Sequence, residues 1–131
     1  ELENFKKRHH KEKVDFIRYG HESFARELLL VIDSLEMALQ HALEKQASNK
    51  LTPLEEGIQL TLRQFLGVFN QFGIKPIESV GKKFDPQIHE AVSQEEAKDQ
   101  EDGIILHEHR KGYWIYDRLL RPAQVRVAKK G

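Results

Sequence analysis

A chain of 131 residues, 39% apolar and 32% charged, has room for one compact domain or for a smaller one plus an extended element, and this balance favours helix over a thick core. Lys plus Arg equals Asp plus Glu at 21 each, so no global charge drives the chain onto nucleic acid or an anionic membrane. The lack of cysteine excludes disulfides and thiolate metal sites and fits a reducing cytosol, and no apolar run reaches the roughly 20 residues that a membrane span needs.

The chain opens at Glu1, without Met and already helical in pattern, so a trimmed N-terminus is expected. From Glu1 to Gln46 there is no Pro and the only Gly is Gly20, which predicts one long helix over 1–46. Phe24, Leu28, Val31, Leu35, Ala38 and Ala42 step by alternate fours and threes. A second row, Ala25, Leu29, Ile32, Glu36, Leu39 and Leu43, runs one position over. Two adjacent seams make a wide apolar face, suited to a bundle helix with more than one neighbour. Before Ile17 the stripe thins to Leu2, Phe5, Phe16 and Tyr19 and slips by one position, so any supercoil there is irregular.

Ala47 to Leu51 reads as a loop. Thr52-Pro53-Leu54-Glu55 then starts a helix over 53–72, with Thr52 as N-cap, Pro53 at the first helical position and Glu55 closing a capping box. Leu54, Ile58, Leu62, Phe65, Phe69 and Phe72 form its stripe, and Gly73 is placed to end it. Gly57 inside this helix costs about 1 kcal/mol against Ala, which close approach of another helix would offset. At 1.5 Å per residue the two helices span about 65 Å and about 30 Å, so the second covers only part of the first. The uncovered apolar residues call for another chain. A parallel homodimer meets that need, with paired long helices and a four-helix bundle.

Beyond Gly73 the pattern turns to β. Ile74, Ile77 and Val80 with Pro76 suggest an edge strand. Lys83 to Val92 reads as a turn leading into a strand, and Ser93 to Gly103 as a polar loop. Ile104–His109, Gly112–Tyr116 and Gln124–Ala128 read as short strands. The fold class is therefore α+β: a helical dimerisation domain over 1–73, then a small all-β domain over 74–131. Charge is segregated in the second. Seven acids face one Lys from Glu90 to Glu108, and seven basic residues face one Asp from Arg110 to Gly131.

Motifs that carry chemistry are missing. His89-Glu90 lacks the second His of a zinc-protease helix, and His107 and His109 on one strand face supply two ligands at most, so these histidines read as surface or partner-facing groups. Lys6-Lys7-Arg8 before a heptad helix superficially matches a basic zipper, but Glu1, Glu3, Glu12 and Asp15 interrupt it, against the phosphate neutralisation that such a region supplies. Tyr113, Trp114 and Tyr116 could stack bases, but more often such a row fills a small β core. No phosphate loop or nucleophile elbow is present. Bottom-up, the chain is a helical stalk carrying a β module with a basic edge.

Several segments then carry a resemblance. Asn4-Phe5-Lys6-Lys7-Arg8, Leu28 to Leu39, Glu56-Gly57-Ile58-Gln59-Leu60, Phe84-Asp85-Pro86 with His89-Glu90-Ala91-Val92, and Gly112-Tyr113 with Asp117-Arg118 and Leu120-Arg121-Pro122-Ala123 occur in order along the chain. Together they resemble the GrpE family, nucleotide exchange factors of DnaK-type heat-shock chaperones. The resemblance implies a homodimer with a coiled-coil stalk, a four-helix bundle and two β domains. It implies no enzyme, no cofactor or metal, no direct nucleotide binding, and no nucleic-acid or membrane partner. One β domain would bind the chaperone's ATPase domain in an open form, and linkage then requires ADP binding to weaken by the same factor.

By matched position, the resemblance puts the chaperone contact at Arg118 with Phe84, Asp85, Pro86, Lys111 and Val127, and at Lys6 in the long helix. Phe24, Leu28, Val31, Leu35, Gly57, Ile58, Leu62 and Phe65 would pack the dimer bundle. A bacterial cytoplasm is implied, or an organellar matrix if a targeting segment was trimmed. Where the family often has Pro, this chain has Leu30, which permits a continuous helix. The alternative reading is a coiled-coil scaffold or nucleic-acid-binding adaptor.

Overall fold

The computed structural model describes residues 1–45 and 50–129. Gln46, the expected end of the long helix, most of the Ala47–Leu51 loop, and Lys130 in the basic tail lie outside them. The chain forms two compact units, Glu1–Gly73 and Ile74–Gly131.

The helical unit contains α1 (Leu2–Tyr19), α2 (Glu22–Lys45) and α3 (Pro53–Gln71). The long helix expected over 1–46 is thus two joined helices, parted at Gly20 and His21. Gly20 keeps right-handed angles (φ −63°, ψ −20°) and its N–H still donates to the Phe16 carbonyl. The turn is tight, however: a Cβ on Gly20 would lie 2.5 Å from the Phe16 oxygen. Only glycine tolerates that approach, and its low helix propensity makes this the place where the helix yields. At Leu30, by contrast, α2 runs through without a break.

α3 begins as its sequence dictates. The Glu55 N–H donates to Thr52 Oγ1 (3.2 Å), and the Thr52 N–H donates back to Glu55 Oε1 (2.8 Å). Two otherwise orphaned donors are satisfied at once. The far end of α3 reaches the start of α2, where the rings of Phe72 and His21 meet edge to face at 6.3 Å. The two helices are therefore antiparallel, and α3 covers α2 but not α1.

Which apolar row α3 covers is informative. Ala25, Leu29, Ile32 and Leu39 are buried, the second of the two rows on α2. Of the first row, Phe24 (66% exposed) and Val31 (49%) stand open, and Leu28 and Leu35 are half-buried. On α3, Leu62 and Phe69 are buried, Ile58 and Phe65 are half-buried, and Phe65 stacks edge-on against Phe69 at 5.2 Å. α1 has no buried residue, and Leu2, Phe5, Phe16 and Ile17 are all exposed. Gly57 is also exposed, and a Cβ there would meet nothing within 4 Å. Among the described residues, no helix makes the close approach expected at Gly57.

The β unit is two three-stranded sheets. The first has β1 (Ile74–Pro76), β4 (Tyr113–Ile115) and β5 (Arg118–Arg121) in the order β1-β4-β5, all antiparallel. The second has β2 (His89–Glu96), β3 (Ile105–Arg110) and β6 (Ala123–Lys129) in the order β2-β6-β3, with β6 parallel to β2 and antiparallel to β3. Pro76 ends an edge strand, where its missing N–H costs nothing. Pro122 sits where the chain leaves the first sheet for the second. Ile105, Ala123, Val125 and Val127 form the core of the second sheet.

Two expectations are corrected. Ser93 to Glu96, read as loop, continue β2, because β6 supplies a backbone ladder from Ser93↔Arg126 to Glu96↔Lys129. Polar residues are tolerated there because β2 is an edge strand. Arg118 to Arg121, given no strand, form β5. Its alternation was hidden because Leu120 and Arg121 are both buried.

Candidate functional site

The residues singled out in the sequence fall into three places on the β unit and one on the helical unit. Arg118 opens β5, an exposed position on an edge strand, directly after a two-residue turn of Tyr116 and Asp117 that joins it to Ile115. Tyr116 holds φ at 51°, the left-handed region that non-glycine residues rarely enter. This hairpin fixes where the Arg118 backbone emerges.

Lys111 precedes the other end of β4, exposed, and its carbonyl accepts a 2.8 Å hydrogen bond from Arg121 Nε. Arg121 itself is buried, with its guanidinium carbon 5.5 Å from the centre of the Tyr113 ring. A buried cation with a carbonyl acceptor and an aromatic face holds the Lys111 backbone from below. Sequence reasoning placed Arg121 in a basic surface row. Nothing in its spacing separates it from Arg118, since only the fold decides which of the two points inward.

Phe84, Asp85 and Pro86 form the third place. The Phe84 N–H donates to the Gly103 carbonyl at 2.8 Å, and its ring packs on the Ile105, Ala123, Val125, Val127 core. Asp85 Oδ1 accepts from the Gln87 N–H at 2.9 Å, and the Asp85 carbonyl accepts from the N–H groups of Ile88 (3.1 Å) and His89 (2.8 Å). The Asp85 N–H in turn donates to His89 Nδ1 at 2.9 Å. Pro86 is exposed at the head of this knot. Val127 belongs elsewhere than expected: at 7% exposure it is core beneath Phe84, so it supports the turn and presents no surface of its own.

The histidines divide as well. His89, read as a surface or partner-facing group, is buried, with its ring 5.9 Å from that of Phe84. Burial lowers its pKa from the ordinary 6.5, against the opposing pull of the Asp85 and Glu108 carboxylates. The signal that could have revealed it is local: Asp-Pro followed three residues later by His closes a turn on itself. His107 and His109 lie ring to ring at 4.9 Å on β3, with Ser93 Oγ 3.3 Å from His109 Nε2. Among the described residues no three His, Asp or Glu side chains converge.

In the aromatic row, Tyr113 is buried, Trp114 half-buried and Tyr116 exposed, so the row is mostly core. Lys6 is exposed on α1.

The β unit thus presents exposed basic groups at a hairpin and beside a strand, and a proline turn held by backbone hydrogen bonds. The sequence model of the GrpE family matches residues 1–129. Relatives named Protein GrpE are 46% identical in Syntrophobacter fumaroxidans, over 98% of this chain and 67% of the relative, and 44% identical in Aliarcobacter butzleri, over 98% and 69%. A third, from Methanothrix thermoacetophila, is 38% identical over 100% of this chain and 66% of the relative. The chain thus spans about two thirds of the length of the relatives it matches. It belongs to the GrpE family, co-chaperones that act as nucleotide exchange factors for DnaK. The scaffold or nucleic-acid reading finds no support.

Proposed function

We propose that the chain works as a homodimer, that its β unit docks on the ATPase domain of a DnaK-type chaperone, and that docking accelerates ADP release without catalysis or nucleotide binding of its own. The observation that carries this reading is the family match across both units, with Arg118 exposed on an edge strand behind a fixed hairpin. A partner that binds the open, nucleotide-free state more tightly must weaken ADP by the same factor, and ATP must expel it in turn. Arg118 is the ion-pairing group, and Lys111 and the Phe84-Asp85-Pro86 turn complete the contact. Lys6 adds one from the helical unit.

The open row of Phe24 and Val31, the bare apolar side chains of α1 and the empty space over Gly57 support pairing with a second copy. A bacterial cytoplasm is the proposed setting.

Sub-stoichiometric protein is expected to accelerate release of labelled ADP from a DnaK-type ATPase domain. Arg118→Ala is expected to weaken docking about tenfold, because a charge desolvated at an interface matters far more than the same charge on a free surface. Docking without faster release would refute the exchange reading. An unchanged affinity for Arg118→Ala would remove that residue from the contact.

A further inference from the structure

We propose that His89 is a positioning residue: as a neutral imidazole accepting the Asp85 N–H at Nδ1, it holds the Phe84-Asp85-Pro86 turn in its docking shape, and its protonation releases that turn. This inference rests on the docking role proposed for the turn.

The geometry is a closed loop of four contacts. The Asp85 N–H enters the His89 ring at Nδ1 (2.9 Å), and the His89 N–H returns to the Asp85 carbonyl (2.8 Å). Phe84 lies over the ring at 5.9 Å, and the Ile88 carbonyl next to His89 accepts from Ala123 on β6 at 3.0 Å. The turn is thus tied to the central strand of its sheet through the residue that also caps it. Because Nδ1 accepts, the ring proton must sit on Nε2. A second proton can only go to Nδ1, where it would confront the Asp85 N–H across a hydrogen-bond distance. Two donors cannot share that position. Either the ring rotates out of a buried site or the turn opens, and both move Phe84 and Pro86.

Asp85 in the turn and Glu108 on β3 favour the cation, while β6 pairs His89 with Ala123, which does not titrate. Desolvation outweighs the two carboxylates, so the native pKa lies below 6.5. Protons therefore bind the unfolded chain more readily than the native one. The stabilisation by neutral His89 is complete above 6.5 and is lost as pH falls through 6.5 toward the lower native value. Docking starts from the folded chain, so it should weaken only as pH falls through the lower native value.

The test uses the full chain and a DnaK-type ATPase domain. Nitrogen-15 spectra of the wild type are expected to show His89 as the Nε2–H tautomer. His89→Asn retains an acceptor where Nδ1 stood and does not titrate, so it should dock as the wild type does at neutral pH. As pH falls from about 7.5 through the native His89 value, which nitrogen-15 titration locates, the wild type should lose about fivefold more affinity than His89→Asn, the worth of one hydrogen bond. His89→Leu, checked for an intact β unit by circular dichroism, should show the fivefold loss at every pH.

A wild-type Nδ1–H tautomer, or parallel pH profiles for wild type and His89→Asn, overturns the role of His89 alone. A wild type that fails to dock at neutral pH overturns the docking reading and this inference with it.

Discussion

The helical unit and the β unit differ in how much of their apolar surface they satisfy within one chain. In the β unit Ile105, Ala123, Val125, Ile115 and Tyr113 are essentially sealed, and even Arg121 and His89 are buried. In the helical unit the sealed residues are one row of α2 and two positions of α3, while Leu2, Phe5, Phe16, Ile17, Phe24 and Val31 remain in solvent. Singly scattered exposed apolar residues need no explanation, but their repetition at helical spacing along α1 and α2 does. The two units thus keep their apolar surface in different places: the β unit seals its core within one chain, whereas the helical unit leaves one row of α2 and the side chains of α1 open, as the proposed pairing with a second copy requires.

Breaking the self-sufficiency of the β unit should give the largest effect. Gly112 allows β4 to lie against β6: a Cβ there would stand 2.5 Å from the Ala123 nitrogen, 3.0 Å from its Cα and 2.9 Å from Ile77 Cδ1. Two of those three atoms are backbone and cannot step aside. Gly112→Val is expected to cost about 4 kcal/mol, seen as a lower urea midpoint for the β unit at any protein concentration. A loss below about 1 kcal/mol would mean that the two sheets can slide apart cheaply.

The helical unit offers a sharper contrast between its two rows. Leu29, fully buried under α3, should cost about 3 kcal/mol when cut to Ala, as cavity formation in a core does. That loss should not depend on protein concentration. Phe24→Ala removes a side chain that one chain leaves exposed, so its cost should fall on association instead. The melting temperature of the Phe24 variant should approach that of the wild type as both are diluted, because mass action then dissociates each. If Phe24→Ala destabilises equally at all concentrations, the outer row is not an interface between copies.

How much of this was legible in the sequence differs between the units for a physical reason. Helix existence and the α3 capping box follow from local rules, and Thr52-Pro53-Leu54-Glu55 leaves little choice. Which of two adjacent apolar rows faces α3 does not, because both rows satisfy the same 3.6-residue period. The yielding point at Gly20 is visible as the one glycine of residues 1–46, but a lone glycine does not by itself forecast a break in the helix. In the β unit the strands at Ile105 and Val125 were marked by their apolar residues. β5 and the Ser93–Glu96 end of β2 were not, since non-local pairing and the burial of Arg121 override composition there. For the candidate site, the turn and Arg118 are named by the resemblance alone, since no spacing or composition rule singles them out. The inward turn of Val127 and the cap formed by His89 needed the fold.

The smallest effect separates local from associative stability at the start of α3. Thr52 Oγ1 accepts from the Glu55 N–H and Glu55 Oε1 from the Thr52 N–H, both within one chain and at an exposed helix end. Thr52→Ala should therefore cost about 1 kcal/mol, the usual worth of an N-cap. The loss should be felt first as fraying of the turn around Leu54 and Glu55, and amide hydrogen exchange at Glu55 and Glu56 is the measurement that localises it. Because the cap belongs to one chain, the loss should persist on dilution, as for Leu29→Ala and unlike Phe24→Ala. A cost that vanishes on dilution would mean that the start of α3, with its exposed Leu54, is ordered by a second copy rather than by its own cap.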